Sequence, residues 1–146
     1  MTNTRELVRI GQLELTFLSN SVNAANGVVI FELMIPPAAK VPMPHYHEHV
    51  DELVYGIAGI TTSTIDGQRV EIGPGDHVFI PKGTIHHHDN KSDSPARTLC
   101  VLTPASIGIE YFKELGELIV PGVPPDAVKV SATMKKYGLI PVSQMS

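Results

Sequence analysis

The first part of the chain alternates apolar and polar positions with the period of β-strands. Leu13, Leu15 and Phe17 are separated by polar side chains, which is typical of a strand with one buried face. Residues 28–35 form a nearly continuous apolar run, and such a run predicts a strand that is covered on both faces. This part of the chain is therefore expected to form β-sheet.

Turn signals divide the segment that follows into further short strands. Asp66-Gly67 lies between two β-prone runs and predicts a tight hairpin, because both residues accept positive φ. Residues 73–76 predict a second turn before a strand at 77–80, and residues 98–103 are another apolar strand. Many short strands with such turns favour a β-barrel or a β-sandwich, an all-β fold class.

The pattern changes to helical spacing near the C-terminal end of the sequence. Charged residues separate four apolar residues that recur with that spacing: Tyr111, Phe112, Leu115 and Leu118. A second helix is predicted from near Pro125-Asp126 to Gly138, since proline suits a first turn and glycine a C-cap. We therefore expect a short helical appendix after the strands, in which the apolar stripe packs on the barrel.

Composition and charge exclude several classes of function. The formal net charge is -4, so nucleic acids and anionic membranes are not expected partners. Cys100 is the single cysteine, which rules out an intramolecular disulfide and favours a reducing, cytoplasmic location. We find no apolar signal run and no stretch long enough to cross a bilayer.

All seven histidines fall within two short windows, residues 45–49 and 77–88. In the first window His45 and His47 lie two apart, so on a strand both can reach one ion. His49 has the same parity and is a rival ligand. Glu52 has the opposite parity and can join them only if the chain turns or bulges between residues 48 and 51. Imidazole and carboxylate together suit zinc, iron, nickel, copper or manganese.

In the second window, His86 and His88 share one face of a predicted strand and His87 lies on the other. His88 is thus expected to face the same interior as His86, with a packed core histidine as the alternative. For His77 and His87 a surface role without a ligand is the expectation, and His49 is expected at the surface or behind the ligands.

These two windows resemble the paired motifs of the cupin superfamily. The first motif, Gly-x5-His-x-His-x3,4-Glu-x6-Gly, is matched except at its leading glycine, where Ala39 stands. The second, Gly-x5-Pro-x-Gly-x2-His-x3-Asn, is matched at every fixed position. The matching residues are His45, His47, Glu52 and Gly59, then Gly75, Pro81, Gly83, His86 and Asn90. The segments 111–116 and 135–142 also resemble small single-domain bacterial cupins that are often labelled quercetin-dioxygenase-like.

The resemblance implies a double-stranded β-helix, or jelly-roll, barrel at about residues 5–105, followed by a helical tail at about 108–146 of one domain, 1–146. It also implies one divalent transition metal ion per chain (iron, manganese, nickel, copper or zinc). The implied metal ligands are His45, His47, Glu52 and His86. A homodimer is the expected assembly, because an apolar strand and an open barrel edge favour pairing with a second copy.

An oxygenase that acts on a small phenolic or enolic molecule is the first functional hypothesis. Glu52 would then act as a catalytic base, as the resemblance to quercetinases suggests. A metal-dependent lyase, isomerase or decarboxylase is the second hypothesis, and a non-catalytic small-molecule-binding cupin the third. Strand parity predicts that four residues line the substrate pocket: Met43, Val54, Gly56 and His88. For Gly56 the alternative is a backbone bulge, at which a larger side chain would cost stability.

Overall fold

The structure is a computed structural model that describes residues 5–20 and 27–143. In those residues the chain forms eleven strands and two helices. In order, these are β1 (Glu6–Ile10), β2 (Leu13–Asn20), β3 (Val29–Ile35), β4 (His45–His47), β5 (Asp51–Ala58), β6 (Thr61–Ile65), β7 (Gln68–Ile72), β8 (His77–Ile80), β9 (His86–Asp89), β10 (Ala96–Thr103), α1 (Ile109–Leu118), α2 (Ala127–Lys136) and β11 (Leu139–Pro141).

Two antiparallel sheets face each other across the core, as the predicted double-stranded β-helix requires. The first sheet has the strand order β1-β2-β3-β10-β5-β8, and the second has the order β11-β4-β9-β6-β7. The predicted alternation in β2 is confirmed, since Leu13, Leu15 and Phe17 are all buried between the sheets. The all-β class with a short helical appendix is thus the observed architecture.

Strand β3 departs from the prediction that both of its faces are covered. Its odd-numbered residues are buried, whereas Ile30 and the other even-numbered residues are half-buried on the outer face of the sheet. On that face Ile30 pairs with Val101, Val101 with Leu53, and Leu53 with Phe79. We call these four residues the outer apolar row. The run is continuous in sequence because β3 contributes to both the core and this row.

The predicted hairpin is confirmed. Asp66 and Gly67 both have positive φ, 50° and 79°, and they connect β6 to β7. Such backbone angles match the right-handed twist of the flanking strands and fix their register. The turn at residues 73–76 and the strand that follows it, β8, are confirmed as well.

Helix α1 closes one end of the space between the sheets. Its predicted apolar stripe is confirmed, with Tyr111 and Leu115 buried. The Phe112 ring packs at 5.4 Å from the Phe17 ring and at 5.1 Å from the Phe31 ring. Burial of aromatic rings at this spacing stabilises the contact between helix and sheet.

The rest of the predicted helical tail contains a strand as well as a helix. Helix α2 begins at the N-cap residue Asp126, whose carboxylate accepts hydrogen bonds from the backbone N–H groups of Val128 and Lys129. After Gly138 the chain forms β11, which pairs with β4. Of the helices in the described part of the chain, none is long and apolar enough to cross a membrane.

Candidate metal centre

Strands β4 and β9 bring the two histidine windows together. His45 is paired in register with His86, and His47 follows on the same face of β4. The chain bends at residues 48–50 before β5 begins, which supplies the change of parity that Glu52 needs to face the same interior. The Gly83 N–H donates a hydrogen bond to the His47 carbonyl at 2.8 Å and holds the turn before β9 against β4.

Each of the four predicted ligand residues has a ligand atom within a few ångströms of at least one of the others. The Nε2 atoms of His45 and His47 are 3.2 Å apart. Glu52 Oε1 lies 3.8 Å from His47 Nε2 and 3.7 Å from His86 Nε2. Two ligands bonded to one ion at about 2.1 Å are themselves about 3 to 3.5 Å apart, so small adjustments fit these atoms around a metal.

Two overlapping groups of potential ligands share His86. His45, His47 and His86 form the first group, and Glu52, His86 and His88 form the second, each with ligand atoms within 4.8 Å of one another. The four residues that the sequence motifs single out are all included. His88 is an additional member that the motifs do not contain.

The hydrogen bonds of the histidines prepare two of them for a metal. The Nδ1 atoms of His45 and His86 lie 2.9 Å from the carbonyl oxygens of Met43 and Thr84, respectively. A carbonyl only accepts, so each Nδ1 carries the hydrogen and each Nε2 presents its lone pair. The buried His86 Nε2 has no hydrogen-bond partner among the described residues. An unpaired buried nitrogen is costly unless a further group binds it, so the site fits a metal ion.

Burial keeps the histidines neutral. It lowers the pKa of His45 well below its ordinary value, lowers that of His47, and lowers that of His86 to about 4. Burial alone would raise the pKa of Glu52, but the hydrogen bond from His88 and the neighbouring His86 outweigh it, so the pKa lies below the ordinary value. Three neutral imidazoles and a carboxylate are ligands that suit zinc, iron, nickel, copper or manganese.

An apolar cavity lies directly against this cluster. It has a volume of about 80 Å³, and the ligand residues and His88 form its polar side. The remaining wall comes mainly from β2, β3 and α1, and includes Leu15, Phe31, Leu33, Tyr111, Phe112 and Leu115. Sequence reasoning placed the α1 stripe against the barrel without recognising that it also borders the cavity. The signal for its packing was the helical spacing, but no sequence pattern shows a cavity.

The four residues that strand parity predicts at the substrate pocket differ in their position relative to this cavity. Among Met43, Val54, Gly56 and His88, only His88 borders the cavity. Met43 contributes its backbone carbonyl to His45, and Val54 is buried in the core. A strand rises about 3.3 Å per residue, so side chains that share a face with Glu52 on β5 move steadily away from it.

Gly56 is a position of close backbone approach. A Cβ atom there would overlap the Gly73 carbonyl oxygen and lie 2.8 Å from its carbon. The Gly56 N–H donates to the Asp76 carbonyl at 2.8 Å, and the Gly75 N–H donates to the Gly56 carbonyl at 3.0 Å. Gly56 therefore fits a role in packing β5 against the turn before β8.

The remaining histidines lie outside the two groups of potential ligands. His87 is half-buried, and its Nε2 donates to the Val41 carbonyl at 3.1 Å, on the other face of β9 from His86. His49 and His77 are exposed. The parity prediction that separated His87 from His86 and His88 agrees with these positions.

Two facing sheets with a histidine and carboxylate cluster on the inner wall form a β-barrel with a candidate metal site. The family model of the cupin domain matches residues 31–102, which include the candidate ligands from both windows. The chain belongs to the cupin superfamily. The jelly-roll barrel that the motifs imply and the observed strand order agree with this membership.

The proteins to which this chain is similar are named for different activities. Quercetin 2,3-dioxygenase of Bacillus subtilis is 30% identical over 73 residues, which are 50% of this chain and 21% of that enzyme. The tetracenomycin polyketide synthase protein TcmJ of Streptomyces glaucescens is 27% identical over 74% of this chain and 68% of its own length. The solved structure of the polyketide cyclase RemF from Streptomyces resistomycificus is 27% identical with a TM-score of 0.58, covering 70% of this chain and 73% of that one.

Proposed function

We propose that the protein is a metal-dependent oxygenase of small enolic or phenolic molecules, with one divalent transition ion per chain held by His45, His47, Glu52 and His86. The observation that carries this proposal is the neutral three-histidine, one-carboxylate cluster at the wall of an apolar cavity. Four protein ligands leave open coordination positions on a six-coordinate ion. A bound ion would supply Lewis acidity and a binding position for substrate oxygen atoms.

The residues of the chain divide the remaining work. The apolar wall formed by Phe31, Leu33 and Phe112 excludes water and binds the carbon skeleton of the substrate. Glu52 is ionised, because its pKa is held low by the His88 hydrogen bond. Its Oε1 faces the histidines, so this oxygen would hold the ion and, once released from it, would accept a proton from an enol or phenol hydroxyl. Dioxygen is the oxidant in this proposal.

The size of the cavity favours a compact substrate. Its volume is about 80 Å³, whereas an apolar cavity that admits benzene in another protein has about 150 Å³. A short enolisable compound with two oxygen atoms, such as a small 1,3-diketone, therefore fits better than a multi-ring flavonol, although part of even this compound would extend out of the cavity. A larger substrate would have to displace α1 or extend out of the cavity.

A second candidate is a metal-dependent cyclase or isomerase, in which the ion polarises a carbonyl and no oxidant takes part. The likeness to the polyketide cyclase RemF, at 27% identity and a TM-score of 0.58, favours this alternative. The same ligands and cavity would serve it. The two candidates differ in their need for dioxygen and for a redox-active ion.

The test begins with protein purified without an affinity tag, because a histidine tag would bind metal itself. Elemental analysis gives the ion and its stoichiometry, and an oxygen electrode follows dioxygen consumption with a small 1,3-diketone and with a flavonol. We expect a redox-active ion and dioxygen consumption that is lost in His86→Ala and retained in the matched control His87→Ala. Product formation without dioxygen would favour the cyclase or isomerase. Tight binding of these compounds without turnover in either atmosphere would indicate a binding protein.

A further inference from the structure

We propose that His88 is a positioning residue for Glu52 and not a metal ligand, and that Ser63 fixes the orientation of His88. The three side chains form a hydrogen-bonded relay, Ser63–His88–Glu52, which we call the carboxylate relay. The inference rests on the proposed metal site, because its consequence is the way in which Glu52 presents one oxygen to the ion. The family motifs contain neither Ser63 nor His88 among their fixed positions.

The carboxylate relay connects the two sheets. Ser63 on β6 is paired in register with His88 on β9, so both side chains point to the same face of the second sheet. The Ser63 Oγ lies 2.7 Å from His88 Nδ1, and His88 Nε2 lies 3.1 Å from Glu52 Oε2 on β5 of the first sheet. All three side chains are buried, with residue exposures of 0% for Ser63, 5% for His88 and 7% for Glu52.

The partners of His88 determine which of its nitrogens carries the hydrogen. An ionised carboxylate only accepts, so His88 Nε2 donates to Glu52 Oε2. The Ser63 hydroxyl donates to the lone pair on Nδ1. This is the reverse of His86, whose Nδ1 donates to a backbone carbonyl and whose Nε2 remains unpaired. His88 thus has no lone pair to offer to an ion, although it lies close enough to be counted with Glu52 and His86.

The consequence concerns the two oxygens of Glu52. Oε2 is held by His88, while Oε1 faces His47 and His86 at 3.8 Å and 3.7 Å. The relay therefore makes Glu52 a ligand through one oxygen and leaves the coordination positions that a bidentate substrate needs. Partners that orient a ligand in this way typically contribute about 10- to 100-fold to metal affinity.

Metal titration tests the positioning role. Metal-free protein is titrated with Co²⁺ in the presence of a competing chromophoric chelator, and the visible absorption of the bound Co²⁺ is recorded. We expect His88→Leu to weaken Co²⁺ binding about 10- to 100-fold. His88→Gln, whose amide N–H can replace the Nε2–H, should restore affinity to within a few-fold of the wild type and keep its spectrum. His87→Gln on the opposite face of β9 is the matched control. Far-ultraviolet circular dichroism of each metal-free variant separates loss of folding from loss of affinity.

Two results of the titration would overturn the proposal. If His88→Gln changes the spectrum and weakens binding as much as His88→Leu does, His88 is a ligand. If His88→Leu leaves both affinity and spectrum unchanged while the protein stays folded, Glu52 needs no positioning.

Nuclear magnetic resonance gives a second readout that does not depend on metal binding. Long-range ¹H–¹⁵N correlation spectra of metal-free protein with ¹⁵N-labelled histidine report the tautomer of each ring, and His88→Gln assigns the His88 signals. We expect the Nε2–H tautomer for His88 and the Nδ1–H tautomer for His86. An Nδ1–H tautomer of His88 would refute the relay. A wild-type protein that shows the expected tautomers but binds no Co²⁺ would refute the proposed function and leave the relay intact.

Discussion

Substitution of Gly56 distinguishes a packing role from a role in the substrate pocket. We predict that Gly56→Ala destabilises the protein strongly. The added Cβ would lie 2.8 Å from the Gly73 carbonyl carbon, whereas ordinary van der Waals contact begins at 3.4 Å, so the turn must move away by at least about 0.6 Å. This movement breaks or stretches the two backbone hydrogen bonds that join Gly56 to Asp76 and Gly75.

The size of the effect follows from these contacts. Each hydrogen bond contributes about 1 kcal/mol net, and overpacking a well-packed site costs about 1 to 3 kcal/mol. The expected loss is therefore about 3 to 5 kcal/mol, a large part of the roughly 5 to 15 kcal/mol by which domains are stable. Because the cavity is not bordered by Gly56, metal affinity of the folded fraction should be unchanged.

Urea unfolding followed by circular dichroism measures the loss. Gly122→Ala is a matched control, because Gly122 has a positive φ of 80° but no atom within 4 Å of the added Cβ. It should cost only about 1 to 2 kcal/mol from its backbone conformation. If Gly56→Ala is no less stable than Gly122→Ala and instead loses small-molecule binding, Gly56 faces the substrate and does not pack against the turn.

Four further predictions concern the metal, acid, the assembly and the cavity. Elemental analysis should find about one ion per chain in the wild type and in His87→Ala, and none in His86→Ala. Loss of the ion in both variants would contradict the assignment of faces on β9. Metal-free protein should lose at least about 3 kcal/mol between pH 6.5 and 4 in urea titrations, because unfolded histidine protonates near 6.5 whereas His86 has a pKa of about 4. The lowered pKa values of buried His45 and His47 add to this loss. Stability is thus complete above pH 6.5 and falls as the pH is lowered, and a flat profile would contradict the burial of neutral His86. Light scattering should show a homodimer for the wild type and a monomer for Phe79→Asp, since Phe79 is 57% exposed in the outer apolar row. A monomeric wild type would contradict the predicted dimer. Leu115→Phe should fill the cavity and weaken binding of a small 1,3-diketone in calorimetry without removing metal, and unchanged affinity would place the substrate elsewhere.

The amino-acid sequence was sufficient to predict most strands, the central hairpin, both helices and the residues of the candidate site. Period-2 patterns report which face of a strand is buried, as in β2, and Asp66-Gly67 carries its own backbone preference. Sequence motifs placed His45 and His86 in the same cluster, although they are far apart along the chain.

Other features depend on contacts that no local pattern encodes. Parity gives the face of a strand but not the depth along the barrel, so it could not show that Val54 and Gly56 do not border this cavity. The three-residue strand β11 is too short to show a period. The role of His88 depends on Ser63 and Glu52, which approach it from two other strands.

The pairing of β11 with β4 also has a consequence for biosynthesis. Strand β4 carries His45 and His47, and in the second sheet it lies between β9 and β11, so without β11 it would be an unpaired edge. Translation proceeds from the N-terminus, which means that the ribosome releases both histidine windows well before residues 139–141. The ligand strand β4 therefore completes its hydrogen-bond pairing only after residues 139–141 have left the ribosome.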